Sequence, residues 1–216
     1  MIIFEKLYDV KTVKNYRKIR VGSKHDGGYV MLYDFANIEL ALSGGVGGND
    51  KWERHIALKK KVIAYDILDN NFSNLTYEFK NERLTNLDTI VSNFPNNSLI
   101  GKFDIEGDEF ELFSNSSISS LKKFRQLICE FHIQSLELTE KQFITFDKLL
   151  NMFQTIHIHG NNYSNRIFKL NNLTIPSVFE VTFANREYYD FEPFVGSLPS
   201  SLDSPCDPKI EDIKIL

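Results

Sequence analysis

The 216-residue chain is poor in cysteine, with only Cys129 and Cys206, and it has no basic block and no long apolar run. The two cysteines lack metal-type spacing, and Cys129, inside an apolar strand pattern, reads as a small core residue; a reducing, cytoplasmic setting is expected. With a net charge of −4 and no clustered Lys or Arg, the electrostatic footprint of a nucleic-acid partner is missing. No stretch approaches the roughly 18 apolar residues that a membrane helix needs. The opening "MIIFEKLYDVK" lacks the charged region and long apolar core of a signal peptide. There is no internal repeat and no linker rich in Gly or Pro, so a single domain spanning 1–216 is expected. It would consist of a preface at 1–36, a core at 37–186 and a C-terminal wrap at 187–216 that carries Pro193, Pro199, Pro205 and Pro208.

What is present is an alternation of short apolar strands with helical stretches, the signature of an α/β layered fold. "IELALS" (38–43), "KVIAYD" (61–66), "SLIGKFDIE" (98–106), "QLICEFHI" (126–133), "TIHIHG" (155–160) and "SVFEVTFAN" (177–185) read as strands, with "ERLTN" (82–86) a short further one. Helices are predicted for "KWERHIALKK" (51–60), "FSNLTYEFK" (72–80), "LDTIVSNF" (87–94), the stretch opened by "DEFELF" (108–113), and "TEKQFITFDKLLNMF" (139–153). "DGGYVML" (26–32) reads as a turn entering a hairpin strand. In such a fold ligands bind at the carboxyl ends of the parallel strands.

Five of those ends carry chemistry. The first strand exits into "SGGVGGND" (43–50), a glycine loop between a strand and a helix, where the backbone can approach a ligand closely. The next strand ends at Asp66, about 20 residues on, as expected of an acid that accepts hydrogen bonds from ribose hydroxyls. Ser43, Gly44, Gly45, Gly47, Asn49, Asp50 and Asp66 are therefore the cofactor-binding candidates. The pair suits an adenosine-type cofactor, and the absence of strict G-x-G-x-x-G spacing weakens a dinucleotide.

"KFDIEGDEFELF" (102–113) adds a dense run of carboxylates. Asp108 and Glu109 read as helix starters favoured by the macrodipole. Asp104 and Glu106, at positions of equal parity, are expected to share a face at the strand end. Glu130 and His132 repeat the theme in "CEFHI". His157 and His159 share a face in "IHIHG", which exits into Asn161, Asn162 and Tyr163. Polar, titratable groups ending successive strands are the convergence expected of an active site.

Taken together, "RVGSKHDGGYV", "SGGVGGND", "VIAYD", "KFDIEGDEFELF", "ICEFHI", "IHIHGNNY" and "FEVTFANR" resemble the successive blocks of methyltransferase-like proteins related to the FkbM methyltransferases. The resemblance runs from Arg20 to about Arg186. The proline-bearing tail is similar to the ends of bacterial members found in surface-polysaccharide gene clusters. The resemblance implies a Rossmann-like class I methyltransferase fold: a central, mostly parallel seven-stranded sheet, an antiparallel strand near the C-terminus, and helices on both faces. It implies S-adenosylmethionine as methyl donor and a sugar, sugar nucleotide or phosphoramidate-type precursor of capsular polysaccharide as acceptor.

On that reading His132 is the expected base, with His159 the runner-up and Glu130 orienting a neighbour or binding a sugar hydroxyl. Asp104 and Glu106 would lie beside the methionine moiety or the acceptor. A divalent metal is compatible with the Asp, Glu and His content, although the spacing is not diagnostic. Asn161, Asn162 and Tyr163 are expected acceptor contacts. Arg20, His25, Asp26 and Tyr29 are expected to form a lid, with Arg20, Lys24 and His25 suited to a phosphate-bearing acceptor. The rival readings are a nicotinamide-dependent oxidoreductase, a metal-dependent hydrolase built on the carboxylate and histidine residues, and a non-catalytic binding module. The oligomeric state is open.

Overall fold

The computed structural model describes residues 2–67, 74–164 and 166–216. A preface of α1 (Ile2–Leu7), β1 (Lys11–Val13), β2 (Lys18–Gly22) and β3 (Gly28–Leu32) precedes the core. The core opens with β4 (Leu40–Gly44), α2 (Lys51–Ala57), β5 (Lys61–Asp66), β6 (Glu78–Asn81), α3 (Asp88–Val91) and β7 (Leu99–Phe103). It continues through α4 (Glu109–Asn115), α5 (Ile118–Leu121), β8 (Phe124–His132), α6 (Glu140–Met152) and β9 (Phe153–Gly160). A small hairpin of β10 (Ile167–Leu170) and β11 (Leu173–Pro176), then β12 (Val178–Asn185) and β13 (Phe191–Pro193), complete the elements; 194–216 is a tail without helix or strand.

Seven strands form the central sheet in the order β6-β5-β4-β7-β8-β12-β9. All run parallel except β12, which pairs antiparallel with both β8 and β9. This is the Rossmann-like class I methyltransferase architecture, and the reversed β12 separates it from an all-parallel dinucleotide sheet. Every residue of β4 and of β7 is buried, as expected of central parallel strands covered on both faces. From β4 the chain steps outward through β5 and β6, then returns to β7 and steps the other way. The gap between β4 and β7 is thus the topological switch point, where the carboxyl ends open a crevice.

Each face has its own core. On one, α1, α4 and α6 bury a phenylalanine cluster in which Phe131 of β8 meets Phe110, Phe146, Phe179 and Phe183 at ring distances of 5.0–6.4 Å. The start of α6 is set by a capping box, Thr139 with Gln142, which satisfies two otherwise free N–H groups. On the other face, Trp52 and Ile56 of α2, with Val21, Tyr29 and Met31 of the β2–β3 hairpin, pack on Ala41, Val62, Ala64, Ile100 and Ile128.

Toward the β8–β12–β9 edge this second face is polar, and strand β3 covers it in place of a helix. Gln126 accepts the Leu32 N–H at 3.0 Å and returns its amide to the Leu32 carbonyl, while the Thr182 hydroxyl donates to the Val30 carbonyl.

Two predicted elements are overturned. Of the helix expected at 72–80, residues 72 and 73 lie outside the described residues, and Glu78–Asn81 is instead the edge strand β6. The strand expected at 82–86 is a loop. "YEFK" carries aromatic residues at alternate positions, and an edge strand buried on one side needs no more than that.

Candidate active site

The crevice at the switch point is a cavity of about 470 Å³ lined by the glycine loop (Gly45 to Asn49), Asp66, the 82–84 loop, Asp104, Glu106 and the hairpin residues Asp26, Gly27 and Tyr29. Its size is that of a small-molecule site. Gly45 makes the approach of β4 to β7 feasible: its φ is +77°, and a Cβ there would sit 1.6 Å from the Asp104 carbonyl oxygen. The Asp66 carboxylate closes the loop from below, accepting the N–H groups of Val46 at 2.7 Å and Gly47 at 2.8 Å. Asn49 binds the loop to the hairpin, donating to Ser23 Oγ at 2.8 Å and to the Asp26 carbonyl at 3.0 Å.

Asp104 connects this cavity to a second group of residues. It accepts a hydrogen bond from the buried Tyr29 hydroxyl at 2.6 Å. One atom each of Asp104, Glu130 and His132 lie within 4.8 Å of one another, a set with the chemistry to hold a divalent cation. His132 is half-buried; its Nε2 is 3.4 Å from Glu106 and 3.6 Å from Glu130. Its Nδ1 is 3.8 Å from the Glu109 carboxylate, too far for a hydrogen bond but close enough to favour imidazolium. Burial opposes the charged form of His132, yet Glu109, Glu106 and Asp104 outweigh it, and the pKa stands above its ordinary value.

Glu130 is shifted as well. Burial, with the charges of Asp104, Glu180 and Asp26, pushes it well above the usual carboxylate range, against the weak pull of the Asn161 amide. The neutral form of Glu130 is thus favoured beside a histidine whose surroundings favour its charged form, two groups driven in different directions by their environments.

Several expected site residues are placed elsewhere, and the reasons are local. Strand β7 ends at Phe103, so Asp104 and Glu106 do not share a strand face. Glu106 has φ +56° in the turn, its side chain is 86% exposed, and it reaches His132 from outside. His159 is not in the cavity lining: it is fully buried between Glu180 and Asp212. Ser43 is inside β4 and donates to Glu53, and Gly44 is a strand residue. Asp50 faces Arg54 at 2.7 Å and the Tyr77 hydroxyl at 3.1 Å.

Arg20 donates to the carbonyls of Ser23 and His25, and His25 Nδ1 contacts the Pro205 carbonyl at 2.9 Å, so neither side chain is displayed to an acceptor. Asn161 contacts Glu130, and its carbonyl oxygen takes the Tyr163 N–H. Asn162 is bonded to backbone groups of Asp207 and Ile210 in the tail, while Tyr163 is 60% exposed.

Other contributors were hidden in the sequence. Glu109, expected to be an ordinary helix starter, is fully buried and accepts the Ile105 N–H at 2.7 Å, with its second oxygen unpartnered. Lys102 is buried under the loop, donates to the Gly45 carbonyl and lies 3.7 Å from the fully buried Glu53. A lysine inside a five-residue buried strand was the available signal, because such a charge needs a partner.

No protein-family model matches the chain, and no curated protein sequence matches it. Among solved structures, an rRNA methylase from Streptococcus thermophilus is similar over 69% of this chain and 87% of its own, at 14% identity and a TM-score of 0.37. A fibrillarin pre-rRNA processing protein from Methanococcus jannaschii covers 81% of this chain and 84% of its own, at 10% identity and 0.43. A SAM-dependent methyltransferase from Archaeoglobus fulgidus covers 70% and 88%, at 10% and 0.42. Among the described residues, no helix is long and apolar enough to cross a membrane.

Proposed function

We propose that the chain is an S-adenosylmethionine-dependent O-methyltransferase acting on a sugar or sugar-linked precursor of a surface polysaccharide. The observation that supports it is the junction at Asp104: this residue lines the switch-point cavity and also stands within the Glu130–His132 group. The cavity suits an adenosine-bearing cofactor, because a glycine loop and the carboxylate at the end of the next strand line it. Asp66 would take the ribose hydroxyls, residues 45–49 would pack against the nucleoside, and Asp104 would hold the methionine ammonium. When bound, the cofactor supplies a methyl group on a sulfonium centre.

The chain's own task is to orient an acceptor hydroxyl and take its proton. His132 does the second. Its carboxylate neighbours make it a stronger base and stabilise the imidazolium that forms. Glu130, protonated, donates to an acceptor oxygen, and Asn161 fixes its position. The preface hairpin closes the cavity through Asp26, Gly27 and Tyr29.

A mouth lined by Asp26, Asp104 and Glu106, with Arg20 and His25 turned to carbonyls, favours a hydroxyl-rich acceptor. A sugar nucleotide or phosphoramidate-bearing acceptor would bring its anionic group past these acids.

Calorimetric titration with S-adenosylhomocysteine, NAD and Mg²⁺ tests the reading. Micromolar binding of the first without NAD supports it. Folded protein that binds neither nucleoside but takes a stoichiometric metal would favour hydrolysis at the Asp104–Glu130–His132 group instead.

A further inference from the structure

Away from the cavity, a second set of metal-ligating side chains lies beneath the C-terminal tail. His159 on β9, Glu180 on β12 and Cys206 in the tail are all buried, and one donor atom from each lies within 4.8 Å of the other two. The sheet creates this arrangement: antiparallel pairing sets Glu180 directly across from His159 on one side and from Glu130 on the other. The tail then returns over the row, placing Cys206 Sγ 3.9 Å from Glu180 Oε1. His159 Nδ1 stands 3.3 Å from Glu180 Oε2, while its Nε2 faces both oxygens of Asp212 at 3.0 and 3.1 Å.

We propose that His159, Glu180 and Cys206 form a zinc site, with His159 binding through Nδ1 and Asp212 holding the Nε2–H. A tetrahedral zinc with bonds of about 2.0–2.3 Å sets its ligand atoms roughly 3.3–3.8 Å apart. The 3.3 Å from His159 Nδ1 to Glu180 Oε2 matches that spacing, Cys206 Sγ stands 3.9 Å from the other Glu180 oxygen, and one donor atom from each residue lies within 4.8 Å of the other two, so a side-chain movement closes the three on the ion. The donors decide the metal, since thiolate with imidazole selects zinc over magnesium or calcium. Asp212 supplies the usual outer partner of a metal-bound histidine, a carboxylate on the far ring nitrogen that fixes the tautomer and ring orientation.

The fourth position is left to water or to Glu130. The ion would pin the tail to the sheet edge, and the tail in turn holds the hairpin loop through the Pro205 carbonyl on His25 and the Leu202 carbonyl on Arg20. That loop carries Asp26 and Gly27 to the cavity wall. The inference does not depend on methyl transfer.

Metal analysis of the dialysed full-length protein, followed by Co²⁺ titration of metal-stripped protein, tests it. The expected result is about one tightly held zinc per chain, and a near-ultraviolet thiolate-to-cobalt charge-transfer band on titration. Both should vanish in Cys206→Ser and persist in Cys129→Ala, with folding of each checked by circular dichroism. Glu180→Gln should weaken Co²⁺ binding at least tenfold while leaving the fold intact. Folded protein that takes no Co²⁺, binds it without the thiolate band, or loses the metal with Asp104→Asn and not with Cys206→Ser would overturn the site.

Discussion

Tyr29 donates its hydroxyl hydrogen to Asp104 across 2.6 Å, joining a hairpin near the N-terminus to the end of a central strand 75 residues later. Burial and the Asp104 charge hold the Tyr29 pKa well above its ordinary value, so the phenol remains a donor at any working pH. Tyr29→Phe removes this bond and frees Asp104 to rotate. S-adenosylhomocysteine affinity should fall about tenfold, the scale of a hydrogen bond to a charged group. Unchanged affinity by calorimetry would detach the hairpin from the cofactor site.

On the proposed function, with neutral His132 as the base, the surrounding carboxylates retain its proton, so activity should rise with pH through a midpoint above the ordinary histidine value of about 6.5. Removing a negative neighbour shifts the limb the other way: Glu109→Gln should move the midpoint down. His132→Ala should cut kcat roughly 10²–10⁴-fold with cofactor affinity nearly unchanged. A rate limb unmoved by Glu109→Gln would remove His132 from the role.

Asp66 is bonded to loop N–H groups and lines the cavity. Asp66→Ala should weaken S-adenosylhomocysteine binding by about tenfold or more, because both the loop clamp and the ribose acceptor are lost. Retained affinity in calorimetry would contradict the assignment.

Glu53 has no exposed surface and faces Lys102 and the Ser43 hydroxyl. Glu53→Ala leaves a buried ammonium without its counter-charge, and the stability loss should be about 3–5 kcal/mol in urea unfolding. A loss under about 1 kcal/mol would mean that the Gly45 carbonyl suffices for Lys102.

Local pattern was legible where the chemistry is local. The short, largely apolar segments of β4 and β7, the capped amphipathic α6 and the glycine loop followed by Asp66 each depend on residues near in sequence. Side-chain period, capping and loop conformation are properties of short segments. Even so, the reading failed at Glu78–Asn81, where a partly buried edge strand carries too little pattern to be told from a helix.

The candidate site was legible in residue type and not in partnership. Equal parity joined Asp104 to Glu106 on paper, but β7 stops before either and Glu106 turns outward. His159 and His132 looked alike as strand-end histidines, yet one faces the tail and the other the acids of the β7 exit. Nothing adjacent to His159 announces Glu180, Cys206 or Asp212, which lie 21, 47 and 53 positions away. The sequence by itself determined the strands, the helices and the loop, because φ/ψ preference and amphipathic period act within a few residues. Which charges face one another was decided by strand order and by the path of the tail, because only tertiary packing brings distant residues within the few ångströms over which ions pair and metals bind.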